Sequence, residues 1–393
     1  MKRILLLFLC MLLCASAAAE ETLILSFVGD CSMGEMPAQK GKEGSYTHVL
    51  DEKGFDWPFS LVRDILGADD FTFANNEVIY STRKKHADKK TNLIAAPEYA
   101  QVYQHTGVDA VNTANNHAMD FMMEGYDDTL AALDSFGIPH FGTLYPGTKR
   151  ERDHLGIYEV KGIKIGAVAF SYPQDYDLPK IGSRIEKLRE EGCELVIVSL
   201  HWGREVHFIP ESWQFTYAKK VMDLGADVIW GHHPHVLQIV QFYKGKPIFY
   251  STGNFTFGSM SDVDKNTGIF QLTYHLNEEN APSLYSFSVV PCITQGKGDF
   301  RPLPLTEELL GRIENADRIL VIEEHQRCGG IGEKLAAHPQ VLRNISVCAV
   351  ENAHIPHGDR DSLERLCGLD VHAIGEKICA EITKKTKIRL EME

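Results

Sequence analysis

Six short segments of this 393-residue chain place residues able to hold a cation or move a proton at the end of an apolar run. Asp30 ends VGD after the run that begins at Thr22, and Asn75-Asn76-Glu77 follows the run at Phe71. Asn115-Asn116-His117 follows the run at Ala110, and His201 closes LVIVSLH. His232-His233-Pro234-His235 follows VIWG, and Asn254 stands in STGNF. Taken singly, several have ordinary explanations: Asp30 could cap a turn, Glu77 could be a surface acid, and Asn116-His117 could cap a helix. His201 is harder to dismiss, because an imidazole at the end of a buried apolar run needs a polar partner. The HHPH run is the strongest signal. His233 and His235, two apart on an extended chain, point the same way and suit one metal or two adjacent metals.

The candidate metal ligands are therefore Asp30, Glu77, Asn116, His117, His201, His233 and His235, with His232 an alternative to His233 in the same run. They combine carboxylate, amide-oxygen and imidazole donors with no cysteine cage, which suits Mn, Fe or Zn better than Cu(I) or an iron–sulfur cluster. One or two divalent ions fit this set. Two ions about 3.5–4 Å apart would polarise a phosphoryl oxygen and generate a hydroxide nucleophile near neutral pH. The chemistry indicated is hydrolysis of a phosphoester, with His117 and His201 as the catalytic candidates.

The elements that would gather these residues follow from the hydrophobic pattern. Strands are expected at 22–28, 71–74, 110–113, 164–170, 195–200, 227–230 and 248–250, and helices at 58–66, 96–105, 126–136, 180–191 and 212–224. That alternation means an α/β domain. In such sheets, ligands bind at the carboxyl edge of the strands, where the six polar segments fall.

Composition narrows the partners. A formal charge of −14 offers no net attraction to nucleic acid or to an anionic membrane, although a local metal site can still take an anion. Residues 1–19 read as an export signal: Lys2 and Arg3, an apolar stretch from Ile4 to Cys14, then Ala17-Ala18-Ala19 before Glu20. The protein is accordingly expected to be periplasmic, cell-surface or secreted. Leu13 is too large for a lipoprotein signal at Cys14. Seven cysteines follow the signal, an odd number without a CxxC pair, which indicates neither a full disulfide framework nor a zinc ribbon.

From Glu21 to Arg301 the motifs VGDCSMGE, NNE, GVDAVNTANNHAMDF, VIVSLHWGRE and GADVIWGHHPHVLQIVQFYKGKPIFYSTGNFTFG resemble the CapA family of poly-γ-glutamate capsule proteins. That resemblance implies a four-layer α/β/β/α calcineurin-like metallophosphoesterase sandwich over 20–305, and a role in capsule synthesis or export. It places Asp30 at the aspartate of the DxH motif, Asn116 and His117 at GNH, His201 at the isolated histidine, and His233 with His235 at GHxH. Ser32 stands where DxH has its histidine, and only Glu77 is available for the aspartate that bridges two metals. The expected partners are an anionic polymer or phosphoester substrate and capsule synthesis proteins. A non-catalytic component that binds or tethers a polyanion is the competing expectation.

Residues 306–393 differ in texture and resemble the end of the C-terminal domain of transketolase-like enzymes, through EEH…GGIG, the HG before an acidic helix start and GLD…IGEKI. Strands at 319–322 and 341–350 and helices at 332–337, 361–366 and 371–384 are expected there. The segments that bind thiamine diphosphate in that family lie in other domains, so no thiamine diphosphate is expected. A partial sheet of this kind exposes an edge, which the first domain, a second copy of the chain or another protein would cover.

Overall fold

The computed structural model describes residues 21–258, 264–277 and 281–304, together with two strands further on. The chain divides into two compact units, Met1–Pro304 and Leu305–Glu393. The expected signal segment and the helices at 332–337, 361–366 and 371–384 lie outside the described residues.

In chain order the strands of the first unit are β1 (Thr22–Ser32), β2 (Phe71–Asn76), β3 (Ile79–Tyr80), β4 (Ile94–Ala95), β5 (Ala110–Asn112), β6 (His140–Leu144), β7 (Arg152–His154), β8 (Gly156–Val160) and β9 (Ile163–Ser171). Then come β10 (Leu195–His201), β11 (Val228–His232), β12 (Val240–Tyr243), β13 (Lys246–Phe249), β14 (Asn254–Phe257), β15 (Asn266–Leu276), β16 (Pro282–Thr294) and β17 (Pro302–Pro304). All but β3 and β4 join one sheet, whose main path runs β12-β13-β11-β10-β9-β6-β5-β2-β1-β15-β16-β17. The strands that carry the candidate residues run parallel: β1 with β2, β2 with β5, and β9 with β10 with β11. Their continuous apolar runs are buried on both faces, as in sheets covered by helices.

The sheet curls so that its two halves face each other. Leu25, Phe27 and Phe73 from one half share a core with Ile197, Trp230 and Phe249 from the other. Phe27 stacks on Phe73 with ring centres 5.3 Å apart and meets Phe249 edge-on at 5.7 Å. Truncating a ring buried in this way typically costs about 3–5 kcal/mol. Outside the first half lies a second core, where Val28 and Ala74 meet Val49 and Leu50 of the helix Tyr46–Lys53 and Leu133 of the helix Met122–Ser135. Outside the other half, Val168, Val196 and Ile229 meet Ile181, Ile185 and Leu188 of the helix Leu178–Glu190 and Val221 of the helix Ser212–Asp223. The spacing of Ile181, Ile185 and Leu188 puts them on one helical stripe. Three cores between four layers give the α/β/β/α order, though the two β layers belong to a single curled sheet. The join is thin. β6 pairs with β5 through two residue pairs and with β9 through one, Thr143 opposite Phe170.

Several sequence expectations need correction. The segment 58–66 is a 3-10 turn at Trp57–Phe59 followed by the short helix Arg63–Leu66, and 96–105 is a 3-10 helix, Pro97–His105, not an α-helix. The antiparallel strands β15 and β16 and the helix Tyr46–Lys53 have no counterpart among the elements expected from the sequence. In the second unit, the described strands β18 (Ile319–Gln326) and β19 (Ile345–Val350) pair in parallel.

Candidate metal centre

Two glycines let the site close. A Cβ on Gly29 would lie 2.0 Å from the Gly253 carbonyl oxygen, and one on Gly231 would lie 2.2 Å from that of Tyr250. Only glycine lets β1 and β11 approach the segment 250–253 so closely, just before Asp30 and His232. Asp30 lies inside β1 and not in the loop after it, because Cys31 and Ser32 continue the strand by pairing with β14.

The structure brings Asp30, Glu77, His117, His201, His233 and His235 together at the strand ends, all of them buried. Glu77 is central. Its Oε1 lies 3.8 Å from each of three imidazole nitrogens, Nε2 of His117, His201 and His235. Neither Glu77 oxygen has a hydrogen-bond partner, although the residue is fully buried. A buried carboxylate left so is costly, and such groups are rare without a reason. Burial, then the nearby Asp30 charge, pushes the Glu77 carboxyl well above its usual range. Metal bonds of about 2.1 Å hold neighbouring ligand atoms about 3–3.4 Å apart, so a small inward movement of these four groups closes on an ion. The donor set and the unpartnered oxygens fit a divalent cation.

Asp30 is held by its surroundings. Asn75 Nδ2 donates to Oδ1 at 2.8 Å, Asn112 Nδ2 donates to Asn75 Oδ1 at 2.9 Å, and Asn112 also reaches Ser199 Oγ. His232 Nδ1 is 3.0 Å from Oδ1, and His235 Nδ1 is 3.2 Å from Oδ2. Burial would raise the Asp30 pKa, but the bonds and charge of His232 and His235 outweigh it and hold the carboxyl well below its usual range. His235 is pushed up to about 9: burial opposes its charge, and Glu77 and Asp30 overcome that opposition. His233 is pulled down to about 3 by burial and by the charge of His235. His201 is lowered well below its usual value by burial, with His233 adding to the effect.

The extended geometry expected for His233 and His235 is not what forms. Both have positive φ, 99° and 57°, so the chain makes a tight turn there. All three histidines of the run nevertheless reach the site. His232 faces Asp30, His233 sits with Nδ1 3.1 Å from His201 Nε2 and Nε2 2.9 Å from Tyr172 Oη, and His235 joins Asp30 to Glu77. Asn116 stands at the margin. Its Oδ1 is buried without a partner and its side chain lies against Tyr172.

Sequence reasoning missed Asp120, which accepts a 2.7 Å bond from His117 Nδ1, and Lys89, which pairs with Asp120 and donates to the Asn116 carbonyl at 3.0 Å. The i, i+3 spacing in NHAMD was the available signal for Asp120. It also missed Asn254 as a site residue, whose Oδ1 is 2.8 Å from His235 Nδ1, and Glu205, which with His233 and His235 offers ligand atoms all within 4.8 Å of one another. Asp30, Glu77 and His235 form another such group. Ser32, where the family motif has a histidine, contributes a buried hydroxyl without a partner. Among the described residues Cys31, Cys193 and Cys292 are free thiols.

Comparison with known proteins bears on this set of residues. The chain is 31% identical over 278 residues to the PGA biosynthesis protein CapA of Bacillus subtilis, covering 66% of this chain and 69% of that protein. It is 29% identical over 312 residues to the capsule biosynthesis protein CapA of Bacillus anthracis, covering 74% and 71%. Among solved structures, a 5'-nucleotidase precursor from Thermus thermophilus aligns at 12% identity and a TM-score of 0.40, over 78% of this chain and 62% of that one. The family model described as bacterial capsule synthesis protein PGA_cap matches residues 24–259, a span that begins in β1, ends just beyond β14 and contains every residue gathered around Glu77. The chain belongs to that family.

Proposed function

We propose that this protein acts in making or exporting a poly-γ-glutamate capsule, and that its strand-end site is a divalent-metal centre that hydrolyses a phosphoester or a bond in an anionic polymer. Family membership supports the first part. One observation carries the second: a fully buried carboxylate, Glu77, without hydrogen bonds and equidistant from three imidazoles. Glu77, His201 and His235 would hold the ion, with Asp30 and His233 beside them. When bound, a divalent cation there supplies Lewis-acid polarisation and a coordinated water of lowered pKa. The chain's own part is positioning and proton handling. His117 commits Nδ1–H to Asp120, which leaves Nε2 as the atom that takes up or delivers a proton to a reacting oxygen. Tyr172, half-exposed, flanks His233, while Glu77 and His201 are sealed from solvent.

The Ser32 hydroxyl, standing where the family motif has an imidazole, favours the second reading, in which the centre binds a polyanion without cleaving it. Metal analysis of desalted protein, followed by hydrolysis assays on a phosphomonoester and on poly-γ-glutamate, separates the two. Bound metal with cleavage lost in His117→Ala supports hydrolysis. Bound metal with polymer retention and no cleavage supports binding, and absence of metal rejects both. Export through residues 1–19 completes the proposal. N-terminal sequencing of the secreted or periplasmic form should begin near Glu20, and intact Met1 in the cytoplasm would reject export.

A further inference from the structure

We infer that Glu205 completes, with His233 and His235, a second cation subsite on the solvent side of the Glu77 group. The inference builds on the metal-binding reading of that group. Glu205 is exposed, whereas Asp30, Glu77 and His235 are buried, so the two sets form an inner and an outer site that share His235. Shared ligation is how adjacent cations are commonly held at about 3.5–4 Å.

Three further observations support the outer site. The first is charge. The inner group supplies two carboxylates, Asp30 and Glu77, which balance one dication. A second dication needs another anion, and Glu205 is the acid grouped with His233 and His235. The second is orphaned polarity at the boundary. Both Glu77 oxygens are buried without partners, and so is Oδ1 of Asn116, whose side chain lies against the Tyr172 that bonds His233. The third is the way Glu205 is presented. The next residue, Val206, donates its N–H to the Pro234 carbonyl at 2.8 Å, and Gln238 Nε2 donates to the His207 carbonyl at 2.6 Å. The loop is thereby fastened to the histidine turn. Val206 has a φ of 57°, a left-handed conformation that a β-branched residue rarely adopts, and Tyr172, His233 and His235 share that region. Strain of this kind persists where the surroundings over-determine it, often at functional sites. His233 now bonds Tyr172 and His201, so ligation through Nε2 would displace the half-exposed Tyr172 hydroxyl.

The test is calorimetric titration of the metal-stripped full chain with Mn²⁺, repeated with Zn²⁺, on wild type, Glu205→Gln, Glu77→Gln and Glu186→Gln. Glu186 is an exposed acid on the helix Leu178–Glu190 and controls for loss of one charge. Wild type should show two binding steps. Glu205→Gln should keep the tighter step and weaken the other at least about tenfold, the scale seen when groups supporting a metal are altered. Its melting temperature in chelator should match wild type, because the side chain is exposed. Glu77→Gln should weaken the tighter step, and Glu186→Gln neither. Two unaltered steps in Glu205→Gln, or a single step that Glu205→Gln leaves unaltered, overturns the outer site and leaves the inner one standing. No binding to wild type overturns both.

Discussion

Replacing Glu77 by glutamine should change stability in opposite directions with and without metal. Without metal, the wild type confines a carboxylate whose two oxygens lack hydrogen bonds, close to the ionised Asp30. Asp30 and His235, 3.2 Å apart, already form a compensated pair, so removing the Glu77 charge leaves no lone ion behind. Relieving an unsatisfied buried acceptor recovers about 1–3 kcal/mol. At about 2 °C per kcal/mol, the lower end for large domains, the variant should melt about 2–6 °C higher in chelator. With metal at a hundredfold excess over its Kd, the wild type gains about 2.7 kcal/mol. Loss of a ligand that weakens binding about a hundredfold would cut that gain to about 0.4 kcal/mol at the same metal concentration. Melting followed by tryptophan fluorescence, in EDTA and in Mn²⁺, reads both arms. The reasoning is refuted if Glu77→Gln melts lower than wild type in EDTA, or if both proteins gain equally from metal.

Asp120→Asn should weaken metal binding about 10–100-fold, because His117 loses the acceptor that fixes its ring, and His117 Nε2 faces Glu77. An unchanged affinity by titration would show that His117 is no ligand. A chain ending at Pro304 should retain the metal-induced rise in melting temperature, since all candidate ligands precede Asn254 and the first compact unit ends at Pro304. Loss of that rise would make the two units one cooperative whole. Burial raises the Asp69 carboxyl from 3.8 to about 6, against the opposing bonds from Ser26 and Thr72. Because the folded state holds this proton more tightly, Asp69 opposes folding increasingly as pH rises from about 4 to about 6. Asp69→Asn should therefore gain stability relative to wild type over that range in urea titrations, and a pH-independent difference would contradict the burial argument.

What the sequence revealed of the site was residue type and strand-end placement. Asp30, Glu77, His117, His201 and His235 could be read because each ends an apolar run, and parallel strands deliver such ends to one edge. Asp120 and Glu205 were not legible, since neither follows a strand directly, and their roles depend on how helix and loop pack against the histidines. The turn at His233–His235 reads as extended from sequence because its positive φ values are imposed by packing and not by glycine or asparagine. The outer antiparallel strands escape notice for another reason. Half-exposed residues such as those of β16 lack the uninterrupted apolar runs that mark β2 and β10.

The narrow join at β6 has a consequence for how the molecule is held together. Asp30, Glu77 and His117 belong to the half built on β1, β2 and β5, while His201, His233 and His235 belong to the half built on β10 and β11. With so few strand pairs at β6, the halves are united mainly by the aromatic filling between them and by whatever spans the strand ends. A cation at Glu77 is then a rivet driven through both leaves of a folded sheet. Grip on the ion and closure of the leaves become one quantity: whatever prises the leaves apart loosens the ion, and the ion resists their parting in equal measure.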